Sequence, residues 1–115
     1  MSMDLILCTA CAITLPTDLP ESESWKNYGH ESWAYESESW QVLVAIENEY
    51  EIPSKAMDLE GELRYSTSVT LEPIGAERDG YLFLDTTVRK LAQKCGGSIV
   101  EGPDGFTEVE DSASD

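Results

Sequence analysis

The residues of this 115-residue chain whose types and spacing could do chemistry begin with Cys8-Thr9-Ala10-Cys11. A C-x-x-C pair joined by His30 and Cys95 would give the three-cysteine, one-histidine set that holds zinc tetrahedrally. The same four residues could serve a small metal-dependent or redox domain. Their placement works against both. Three residues is an odd step, so in an extended strand Cys8 and Cys11 point to opposite faces. A thioredoxin-type pair opens a helix after a strand, where the helix dipole lowers a thiol pKa. Here the pair sits inside an apolar run, no second C-x-x-C follows, and Cys95 fits an apolar helical stripe. The expectation is no metal, no cofactor and a fold independent of any disulfide.

Other catalytic patterns are equally thin. His30 is the only histidine, and in "NYGHESW" it reads as a loop residue rather than a general base. Glu-x-Glu pairs are too frequent at this acid content to mark a glycosidase. "EGPDG" is a turn whose proline lacks the N–H that a phosphate cradle needs, and no D-x-D-x-D-G calcium run occurs. No catalytic residue is nominated, and the chain is read as a non-enzyme.

A different constellation stands out. "ESESW" occurs at 21–25 and again at 36–40, with "ESW" at 31–33, so all three tryptophans follow a Glu-Ser pair. Tyr28 and Tyr35 lie in the same stretch. Aromatic rings ringed by carboxylates suit an arginine-rich partner, through ion pairs and cation–π stacking. The competing reading is that Trp40 opens a strand as a core residue and that Trp25 or Trp33 covers a sheet edge. Candidate partner-binding residues are Glu21, Glu23, Trp25, Tyr28, Glu31, Trp33, Tyr35, Glu36 and Glu38.

The charge supports a basic partner. Lys plus Arg total 7 against 23 Asp plus Glu, a formal net charge of −16. The first 63 residues carry 13 of the acids and only two bases, Lys26 and Lys55. Such a surface excludes non-specific nucleic-acid binding, which needs cations to displace counterions, and disfavours anionic lipid. The N-terminal run has Asp4 where a secretory signal carries basic residues, and no segment reaches the ~18 apolar residues of a membrane span. A cytoplasmic location is expected.

The elements that must position these residues follow from periodicity. Leu5–Leu15 reads as a central strand, ended by Pro16, Asp18 and Pro20. Residues 16–39 read as a long acidic, aromatic loop. Trp40–Glu47 is a second strand. Leu63–Leu71 is a third, with the strict alternation of a half-buried strand. Leu84, Val88, Leu91, Ala92 and Cys95 make one helical stripe, with Asp85 as expected N-cap. Ser98–Glu101 and Phe106–Val109 read as a hairpin. The fold expected is α+β: one domain over 1–110 with a frayed tail at 111–115, an antiparallel sheet of four or five strands, and one packing helix. A helix hidden in the loop would make it ferredoxin-like.

The functional expectation is a small acidic inhibitor that occupies a basic, nucleic-acid-handling surface of a partner protein. Phage anti-CRISPR and anti-restriction proteins and nuclease-immunity proteins behave in this way; the likeness to them is of size and acidity alone. An accessory subunit of a larger assembly is a further alternative.

Overall fold

The structure is a computed structural model that describes residues 3–47, 65–72, 78–94, 98–102 and 105–108. Seven strands form one sheet: β1 (Met3–Thr9), β2 (Lys26–Gly29), β3 (Ser32–Glu36), β4 (Gln41–Ile46), β5 (Tyr65–Glu72), β6 (Ser98–Gly102) and β7 (Gly105–Glu108). Their spatial order is β2-β3-β4-β5-β1-β6-β7, and every pairing is antiparallel. A helix, α1 (Arg78–Gln93), packs over β5, β4 and β1. The class is α+β, as the periodicity predicts.

Among the described residues the sheet has seven strands rather than four or five, because the predicted loop 16–39 contains the hairpin β2–β3. A single-turn 3-10 segment, Ser22–Ser24, precedes it. No sheet-packing helix occurs in that stretch, so the ferredoxin-like variant does not arise.

Register aligns the apolar residues into rows across the sheet. Val69 of β5 lies between Leu5 of β1 and Val44 of β4, and Trp33 continues that row on β3. Leu71 lies between Met3 and Val42, and Tyr35 extends the row. This face receives Leu84, Val88 and Leu91 from α1, spaced i, i+4, i+7. The other face is short and hydroxylic, carrying Ser66, Ser68 and Thr70 on β5 beside Ala45 and Leu43 on β4. Thr67 Oγ1, on the helix side, is buried without a hydrogen-bond partner.

Strand β1 is shorter than its apolar sequence suggests. It ends at Thr9, whose hydroxyl donates to Cys11 O at 2.7 Å. The following segment folds on itself. Asp18 Oδ2 accepts the Thr14 N–H at 2.7 Å, and Asp18 N donates back to Thr14 O at 2.9 Å. Ile13 and Leu19 thereby enter the core from a stretch that is not a strand. Lys94, just past α1, reaches Asp18 Oδ2 at 2.7 Å and ties this segment to the helix end.

Helix α1 starts seven residues before the predicted N-cap, Asp85. Asp85 instead pairs within the helix, accepting from Arg89 Nε at 2.8 Å. The predicted buried residues Leu84, Val88, Leu91 and Ala92 are all buried. Cys95 lies outside the described residues.

Two predictions follow from this packing. Truncating Leu91, which is fully buried, to Ala should cost about 2–5 kcal/mol. Arg89→Ala on the outer side should cost under about 1 kcal/mol, as read by urea denaturation of both variants. The second concerns the Asp18 carboxyl. Partial burial works to raise its pKa, but the Lys94 and Thr14 hydrogen bonds and the charges of Lys94 and Lys90 outweigh it, so it stays below the usual carboxylate value. A carboxyl whose pKa falls on folding adds stability above its unfolded value of about 4 and loses it as pH drops through the folded value. Asp18→Asn should therefore cost about 1 kcal/mol at neutral pH, screening at the half-exposed Lys94 included, and should erase part of the acid sensitivity. Denaturation midpoints measured from neutral to strongly acidic pH check both effects.

Candidate functional site

The three Glu-Ser-Trp stretches share one local design. In the first, Glu21 takes a left-handed conformation, φ 49°, and opens the Ser22–Ser24 turn. The chain becomes extended at Trp25 and enters β2. In the second, Glu36 ends β3, and 37–39 turn with Ser37 N donating to Trp40 O at 2.9 Å. Strand β4 then starts at Gln41. In the third, Glu31 again has a left-handed φ, 52°, in the β2–β3 turn, and Trp33 follows within β3. Each glutamate sits in or beside a turn, and each tryptophan lies at or next to the start of a strand.

The rings therefore go in and the carboxylates stay out. Trp25 and Trp40 are 5% and 9% exposed, while Trp33 and Tyr35 are half-buried on the helix side of β3. The Trp25 indole N–H donates to Pro20 O at 2.7 Å, so its one polar atom is satisfied inside. Trp25, Tyr35, Trp40 and Phe83 of α1 form one cluster. Tyr35 stacks on Phe83 at 4.2 Å between centroids, and Trp25 and Trp40 lie 5.7–5.9 Å from these rings.

Of the nominated binding residues, Glu21, Glu23, Glu31, Glu36 and Glu38 are exposed. Tyr28 is the exposed ring of the hairpin, 67% accessible on β2. Trp25 is not available to a partner: it is walled in by Tyr35 and Phe83. Lys26, the cation of the hairpin, sits 3.4 Å from Glu36 Oε2 across β2–β3. Asn27 Nδ2 donates to Gly29 O at 3.0 Å and to Ser32 O at 3.3 Å, which closes the hairpin end. His30 is almost wholly exposed there, 3.8 Å from Glu31.

Two neighbours escape the sequence reading. Lys90 of α1 lines a shallow recess with Thr17, Leu19, Glu21 and Glu23. Phe83 is the fourth ring of the cluster. The apolar "YLFL" run at 81–84 holds a signal for Phe83, but a stripe counted from Leu84 passes over it.

The cysteine set is taken apart by the structure. Cys8 is a buried free thiol on β1, and burial, with the Glu101 carboxylate adding to it, pushes its pKa to about 11. That is an unreactive thiol. Cys11 is disulfide-bonded, and its sulfur is thereby removed as a metal ligand. Among the described residues no group of three or more His, Cys, Asp and Glu side chains could hold a metal ion.

The inward placement of the rings gives a direct prediction. Trp25→Ala should cost about 3–5 kcal/mol of folding stability, whereas Tyr28→Ala should cost under about 0.5 kcal/mol. Chemical denaturation followed by circular dichroism distinguishes them, and equal small losses would remove Trp25 from the core. No protein-family model matches the chain, and comparison with curated proteins and with solved structures returns no match.

Proposed function

We propose that the chain is a non-catalytic binding protein whose acidic hairpin occupies a basic, nucleic-acid-handling surface of a partner protein. The reading places it with inhibitors of the phage anti-defence or nuclease-immunity type, acting in a cytoplasm. The observation that carries it is the sorting of side chains over 21–40: five glutamates outside, two of the three tryptophans buried, and one lysine already paired. Exposed carboxylates on a turn-rich hairpin raise the encounter rate with a cationic surface and can stand where its phosphates would. Tyr28 supplies the ring that an arginine can stack on. This replaces the tryptophans as the expected anchors.

A metal-dependent or redox use of the C-x-x-C draws less support, because Cys11 is in a disulfide while Cys8 is a buried free thiol kept protonated, so the two do not pair with each other. Helix α1 is too polar to cross a membrane, and none of the described helices is long and apolar enough to do so.

The test is affinity capture from the source cell followed by kinetics on the captured protein. The expected partner binds nucleic acid and releases it when the chain is added. Glu23, Glu31 and Glu38 changed together to Gln should slow association and flatten its salt dependence. Tyr28→Ala should instead speed dissociation, by about tenfold for a 1.4 kcal/mol contact. Carboxylate changes that leave both affinity and salt dependence untouched would reduce the acidity to a solubility device.

A further inference from the structure

We propose that β2 is an open sheet edge that takes an extended, basic segment of the partner as an added strand. The inference rests on the binding role proposed above and specifies its geometry. Among the described residues the order is β2-β3-β4-β5-β1-β6-β7, in which β2 is terminal and bonded to β3 on one side only. All four of its residues are exposed. The peptide groups on its outer side are a template for another strand.

Charge decides which strand that can be. Each copy of the chain carries −16, and edge-to-edge pairing of two copies would bring their glutamates together. The edge is thus closed to its own kind by repulsion and open to a cationic segment. Acids stand at both ends of β2: Glu21 and Glu23 in the turn before it, Glu31 in the turn after it. The strand's lysine, Lys26, offers little opposition, since its ammonium is held by Glu36 of β3. Tyr28 stands exposed in mid-strand, where a guanidinium can lie on its ring.

The same geometry limits the contact. The register shifts between Asn27 and Gly29, and the Asn27 side chain already satisfies Gly29 O. The stretch free to pair is Lys26–Tyr28, about 10 Å at ~3.3 Å per residue. A segment of three or four residues registers there, flanked by bases that meet the glutamates. Backbone hydrogen bonds then fix direction and register, while the carboxylates supply attraction.

The experiment uses the full chain and two synthetic ten-residue peptides of alternating Arg and Thr, one unmodified and one N-methylated on alternate backbone nitrogens. The two carry the same charge, but the second cannot donate along one edge. The expected result is at least about tenfold weaker binding of the N-methylated peptide, and slowed amide hydrogen exchange within Lys26–Tyr28 with the unmodified one. A Glu/Thr peptide should not bind. Equal binding of the two basic peptides, without protection at β2, would overturn the added strand and leave charge-only docking of the hairpin. Protection at β7 instead would overturn it in favour of the opposite edge. Failure of both basic peptides to bind at low salt would remove this inference together with the role it rests on.

Discussion

The stacking of Tyr35 on Phe83, with Trp25 and Trp40 packed around them, is the contact on which the rest depends. It joins Phe83 of helix α1 to the turn after Pro20, strand β3 and the start of β4, whose rings lie more than 40 residues before it in sequence. Large rings bury much apolar area per residue, and well-oriented pairs add about 0.5–1.5 kcal/mol beyond burial. A chain of this charge needs such short-range, non-directional cohesion. Electrostatic self-repulsion is spread over the whole surface, while the ring contacts act at a few ångströms.

Ion pairs have a different task in this molecule. Lys94 on Asp18, Arg89 on Asp85 and Lys26 on Glu36 each place a scarce cation on a nearby acid. The Asp18 pair is the most sheltered of them, and it joins the segment after β1 to the end of the helix. The others are exposed and screened, so their weight in stability is small. Stability thus rests on the apolar side of the sheet, and the acidic hairpin can vary its charge with little effect on folding.

Strand Tyr65–Glu72 and the stripe Leu84, Val88, Leu91 were legible in the sequence because the residues that meet the core recur at the period of a strand in one and of a helix in the other. The hairpin β6–β7 was legible from its turn residues. Strand β2 was not: "KNYG" is exposed at every position, so no periodicity exists to read. Its conformation comes from pairing with β3 and from the turn at Glu31. The first turns of α1 were hidden for a related reason. Gly80 and the aromatic residues at 81 and 83 are modest helix formers, and the docking of Phe83 on rings far away in sequence is what holds that end. For the site, the carboxylates were legible and remain on the surface. The burial of Trp40 was legible from its place at the head of a strand pattern, but that of Trp25 was not, because spacing says nothing of which side of a turn a side chain leaves.

Glu21 and Glu31 adopt left-handed backbone, a conformation that costs an ordinary L-residue about 1–2 kcal/mol and costs glycine almost nothing. Glycine at either position would relax the chain and delete a carboxylate at the same time. These are points of local frustration, where the most stable sequence and the most acidic sequence are different sequences. A chain optimised for folding alone would turn those corners with glycine. This one turns them with glutamate, so backbone comfort and surface charge pull in opposite directions at the turn before the hairpin and at the hairpin's own tip.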